Sequence, residues 1–138
     1  MKLIVDANIL FAALIRRNDT FLLLFEDSLD LYAPDYLLEE LAEHRDEVLA
    51  KTNETPERFD LLFSRISSRI HLIPLKSLKA KEEEAARLSP DADDAPYFAL
   101  ALFLGKEAVI WSNDKRLKTQ SQIPVISTAE LISRFYHR

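Results

Sequence analysis

The chain contains one glycine, Gly105, in 138 residues. That excludes the glycine-rich loops that let a backbone approach phosphates closely, so neither a P-loop nor a dinucleotide fingerprint can be built. A phosphate group would have to be held by cations, helix N-termini or basic side chains. Cysteine is absent, which removes any disulfide framework or thiolate metal site and fits a cytoplasmic setting. Apolar runs are short. Asp6 interrupts the opening MKLIVDAN, which is therefore not expected to act as a signal peptide, and no run approaches the roughly 20 residues of a membrane span. Basic residues are outnumbered 18 to 23 by acidic ones, for a net charge of −5. This argues against binding nucleic acid by bulk charge, but cations held in an acidic pocket invert the local field.

Hydrophobic residues make up 48% of the chain, enough for a substantial core in one domain spanning residues 1–138. Short β-branched and aliphatic runs read as strands at Lys2–Val5, Leu31–Ala33, Ile70–Ile73, Ala108–Trp111 and Val125–Ile126. Helical patterns lie between them. They cover Asn8–Ile15 (ending near Arg16 and Arg17), Thr20–Asp27, Asp35–Ala50, a helix from Thr55-Pro56-Glu57 to about Ser68, Ser77–Leu88 and Asp91–Leu104. Asp114–Lys118 reads as a helical turn, and Ser127-Thr128-Ala129-Glu130 as a capping box that opens a final helix. No linker, repeat or low-complexity segment intervenes. The alternation predicts a three-layer α/β domain of Rossmann-like form, with a central parallel sheet and helices on both faces.

Acidic residues recur where such a sheet opens its crevice: Asp6, Glu40, Asp94 and Asp114. Strand C-terminal ends share one edge in a parallel sheet, so carboxylates distant in sequence meet there. Their mutual repulsion is relieved by a divalent cation with oxygen ligands. Each has an ordinary reading too. Asp6 can cap a helix, Glu40 can lie on a solvated face with Glu39 and Glu43, Asp91, Asp93 and Asp94 can favour a helix macrodipole, and Asp114 can cap a turn. Together they point to a magnesium- or manganese-dependent phosphodiesterase, with Asp91 as a further candidate ligand. Lys115, Arg116 and Lys118 follow Asp114 and are candidates for contacting a nucleic-acid backbone. His44, His71 and His137 show no catalytic pattern and read as structural or solvated.

With these residues in place, the whole chain resembles the PIN domain family. Asp6-Ala7-Asn8 resembles that family's opening motif, Glu40-Leu41 its helical Glu-Leu pair, and Asp94 with Ala101 its third acid before an alanine-rich helix. Trp111-Ser112-Asn113-Asp114 resembles its closing Ser/Thr-x-Asp motif. The resemblance implies a Mg²⁺- or Mn²⁺-dependent ribonuclease, often a homodimer, and many small members are VapC-type toxins held silent by an antitoxin protein. In that reading Asp6, Glu40, Asp94 and Asp114 are both catalytic residues and cation ligands. Asn8, Ser112 and Asn113 orient ligands or water, and hydrolysis leaves a 5′-phosphate and a 3′-hydroxyl.

Other readings fit less well. A haloacid-dehalogenase phosphatase needs Asp-x-Asp after its first strand, where this chain has Asn8. A response-regulator receiver needs an early acidic pair, where only Asp6 is present. A PIN-fold interaction module or a housekeeping RNA-processing domain is the alternative from another class. For it, Phe21–Phe25 or the Phe59/Phe63 pair would have to form an apolar groove rather than core.

Overall fold

A computed structural model describes residues 1–16 and 19–136. The sequence readings at Arg17 and His137 therefore lie outside the described residues. Five strands, β1 (Lys2–Val5), β2 (Asp30–Pro34), β3 (Ile70–Ile73), β4 (Ala108–Trp111) and β5 (Val125–Ile126), form one parallel sheet in the order β3-β2-β1-β4-β5. The helices are α1 (Ala7–Ile15), α2 (Asp19–Leu24), α3 (Tyr36–Ala50), α4 (Pro56–Ser67), α5 (Glu82–Leu88), α6 (Ala95–Leu104) and α7 (Thr128–Tyr136).

Side chains alternate across the strands and divide the core in two. Leu3, Val5, Leu31, Ala33 and Trp111 pack with α1, α2, α3, α4 and α7 on one face. Ile4, Ala108 and Ile110 pack with α5 and α6 on the other. Burial on both faces explains why these strands read as continuous apolar runs. Helices therefore cover both faces, as the alternating pattern predicts.

Local signals set most boundaries. Thr55 Oγ1 accepts from the Arg58 N–H at 3.2 Å, with proline at the start of α4. The capping box forms reciprocally: the Glu130 N–H donates to Ser127 Oγ, and the Ser127 N–H donates to Glu130 Oε1. Gly105 follows α6 with φ 91°, the one positive φ among the described residues.

Two expectations are corrected. The helix expected over Ser77–Leu88 begins as a 3₁₀ segment, Leu75–Lys81, and becomes α-helical only at Glu82. Asp91, Asp93 and Asp94 do not occupy the first turn of an α-helix. Ala92–Asp94 is a 3₁₀ turn capped by Asp91, and Pro96 places the α-helical start at Ala95.

Candidate metal centre

The strand order reverses between β1 and β4, the neighbours on either side of the sheet's switch point, where open α/β sheets form their ligand crevice. Asp6 follows β1, and Ser112-Asn113-Asp114 follows β4. The Asp6 N–H donates to the Trp111 carbonyl at 3.4 Å, which ties the two strand ends together.

Asp6 is 6% exposed and caps α1, accepting from the Ile9 N–H at 3.0 Å. Burial raises its pKa above the ordinary carboxylate value. Bonds from the Ser112 hydroxyl and the N–H groups of Ile9 and Asn8 oppose that rise, and the Asp114 charge adds to it. Ser112, 1% exposed, links the two acids, because its Oγ also accepts the Asp114 N–H at 3.1 Å.

Glu40 is half-buried on α3, between exposed Glu39 and Leu41. Its Oε1 accepts the Tyr97 hydroxyl at 2.7 Å, and the Tyr97 oxygen accepts the Ala7 N–H at 3.3 Å. Burial raises the Glu40 pKa, the Tyr97 bond opposes this, and the charges of Asp94, Asp6 and Asp93 raise it further. Sequence reading missed Tyr97, since a tyrosine inside YFALAL reads as core. At 2% exposure it is core, yet its hydroxyl joins α6 to the start of α1 and to Glu40.

Asp94 is pushed up from an ordinary 3.8 to about 6, first by burial and then by the charges of Asp91, Asp6 and Asp114, with Arg116 pulling the other way. Asp6 and Asp94 thus interact with each other and each with Glu40 and Asp114. The sign for stability follows from the raised value. Asp94's contribution is fully present below 3.8 and is lost as pH rises through about 6. In EDTA, Asp94→Asn should therefore be more stable than wild type by about 1 kcal/mol at pH 8, after allowance for solvent screening. The difference should vanish toward pH 4, and urea melts across that range check it.

Among the described residues, no group of three or more carboxylate or imidazole side chains stands ready to hold a metal ion directly. The donor chemistry nonetheless fits a hydrated Mg²⁺ or Mn²⁺. The acids supply only oxygen, and Mg²⁺ keeps several waters while binding one or two carboxylates directly. Burial raises Asp94 to about 6, and the charges of Asp91, Asp6 and Asp114 add to the rise, so further positive charge is favoured at the same place.

The model of the PIN domain family matches residues 4–130. The chain belongs to the PIN domain family. Members are generally nucleases and typically use divalent metal ions. In a crystal structure of VapBC2 from Rickettsia felis bound to a DNA fragment from their promoter, one chain shares the fold, with a TM-score of 0.68 at 14% identity. The match covers 92% of this chain and 98% of that one. No curated protein sequence matches significantly.

Around the acids of this PIN domain, two of the three basic candidates, Arg116 and Lys118, are engaged by carboxylates. Arg116 forks onto Asp114, with Nη2 to Oδ2 at 2.8 Å and Nε to both oxygens at 3.2 Å. Its Nη1 lies 3.8 Å from Asp91 Oδ2. These bonds hold the Asp114 pKa below its ordinary value. Lys118 pairs with Glu130, while Lys115 is exposed. Asn113 has a different partner from the one expected for a ligand-orienting residue: its Oδ1 accepts the Thr128 N–H at 2.8 Å and holds the start of α7. Asn8 is exposed on the first turn of α1. His44 and His71 are exposed, in ring contact with Phe11 and Tyr32 respectively.

A second concavity of about 220 Å³ lies between α1, α3 and α4, and none of the four acids lines it. Phe11, Leu38, Leu41, Phe59 and Phe63 form much of its wall. Phe59 is core at 4% exposure, and Phe63 is partly buried against the same cluster. The Phe21–Phe25 run also divides. Leu23 and Leu24 are fully buried, whereas Leu22 and Phe25 are 57% and 37% exposed. Among the described residues no helix is long and apolar enough to cross a membrane.

Proposed function

We propose that this chain is a Mg²⁺- or Mn²⁺-dependent endoribonuclease, with residues 1–138 as one catalytic domain acting in the cytoplasm. The observation that carries this reading is the meeting of Asp6, Glu40, Asp94 and Asp114 at the switch point of a PIN-family sheet. These four residues, with Asp91 beside them, would hold the cation, in part through water. When bound, the cation supplies an activated water and charge stabilisation at the scissile phosphate. The chain's own contribution is to orient the ligands. Ser112 fixes Asp6 relative to Asp114, and Tyr97 aims Glu40.

In this reading the protein is the toxin of a VapBC-type pair. The fold shared with a chain of a VapBC2 complex supports it. So does the apolar concavity between α1, α3 and α4, whose lining suits the apolar face of an amphipathic antitoxin helix. The exposed Leu22 and Phe25 on and after α2 provide a surface for a second copy in a homodimer.

The deciding experiment is cleavage of a mixed structured and single-stranded RNA pool with Mg²⁺, Mn²⁺ or EDTA, using wild type beside identically purified Asp6→Asn. Metal-dependent cleavage by wild type alone supports the nuclease. Equal cleavage by the two proteins rejects the site, and absence of cleavage by both passes the decision to divalent-ion calorimetry. Within α3, Glu40→Gln should lower turnover by at least roughly 10-fold while Glu39→Gln stays near wild type. The reverse ranking in the same assay would shift the ligand by one residue.

A further inference from the structure

We infer that Arg116 is a built-in counter-cation of the acidic site, clamping Asp114 and Asp91 until a divalent ion takes those carboxylates and then turning to the substrate phosphate. This rests on the metal-dependent reading above.

The geometry shows a clamp rather than a chance surface pair. Both Asp114 oxygens are engaged by the guanidinium, at 2.8 Å and 3.2 Å, in the fork arrangement that suits a carboxylate. Oδ1 also accepts the Arg116 N–H at 3.0 Å, so residue 116 binds Asp114 through backbone and side chain together. The same guanidinium reaches toward Asp91, on the turn before α6. One cationic group therefore spans two acids that arrive from different elements.

The clamp is also built to open. The turn carrying it, Lys115–Thr119, is anchored by Leu117, which is 1% exposed, while the Arg116 side chain is 62% exposed. The guanidinium can rotate away about its own side-chain bonds while the turn stays in place. An exposed pair of this kind is only weakly held. A divalent ion, carrying twice the charge and attracted by all the neighbouring carboxylates, in part through water, outcompetes it. The planar fork that matches a carboxylate also matches a phosphate, so release leaves a phosphate-binding group beside the reacting site. Lys118 is unsuited to this exchange because its partner, Glu130, belongs to α7 and not to the acidic set.

The test is calorimetric titration of the full chain with Mn²⁺ alone, comparing wild type, Arg116→Gln and Arg116→Lys, with folding checked by circular dichroism. Arg116→Gln should bind Mn²⁺ roughly fivefold more tightly than wild type, and Arg116→Lys should fall between them. At saturating Mn²⁺, Arg116→Gln should show a raised KM for RNA. A merely structural arginine would weaken both measurements together. Wild-type Mn²⁺ binding with equal or weaker affinity in both variants overturns the clamp but leaves the nuclease reading standing. Absence of Mn²⁺ binding in all three proteins overturns both.

Discussion

Asp6→Asn should lower RNA cleavage by more than the roughly 10- to 100-fold typical of losing a ligand's outer partner, with no loss of stability. The amide oxygen of asparagine can still accept the Ile9 N–H, now bonded at 3.0 Å, and Asn and Asp are equally good helix caps. What disappears is a buried negative charge whose pKa is raised by desolvation and by Asp114. Melting of the variant in EDTA should therefore match or exceed wild type, which separates loss of chemistry from loss of fold. Stabilisation of wild type by Mn²⁺ should be reduced in the variant, since a ligand stabilises only the state that binds it. Full cleavage activity in Asp6→Asn, at equal purity, would remove Asp6 from the site.

Tyr97→Phe is expected to have the next largest effect. The ring is retained, so packing in the α6 core changes little, but two bonds are lost. One leaves the Ala7 N–H without its tyrosine partner, and the other frees Glu40 Oε1. A buried N–H left unsatisfied costs about 1–3 kcal/mol, so a destabilisation near 2 kcal/mol is expected in urea melts. Activity should fall roughly 10- to 100-fold, as for other partners that orient a ligand. The bond from Tyr97 lowers the Glu40 pKa against burial and the neighbouring acids. Its removal should raise that pKa and move the acidic limb of the pH–rate profile toward higher pH. Reduced activity with an unmoved profile would make Tyr97 a packing residue only.

Asp6 and Asp114 were legible as a pair because each lies just beyond an apolar run, and parallel strands of an α/β sheet end along one edge. The Thr55 cap and the capping box at Ser127–Glu130 were legible because their bonds span only a few residues. Glu40 was different. Nothing in YLLEEL separates it from Glu39 except resemblance to a family, and what distinguishes them physically is Tyr97, 57 residues away. The turn from Asp91 to Asp94 was read as α-helical because its composition suits a helix start. Pro96 and the Asp91 cap, bonded to the Asp93 N–H at 2.9 Å, instead give a 3₁₀ turn.

Sequence by itself thus determined the layer order, the parallel sheet and the acids at its strand ends, since these follow from short-range hydrophobic periodicity and local caps. Only the tertiary structure decided which partner each acid has. Tyr97 reaches Glu40 across two helices, Arg116 spans Asp114 and Asp91, and Asn113 is drawn to α7. Such pairings depend on side-chain directions in three dimensions, and residue spacing along the chain carries no record of them.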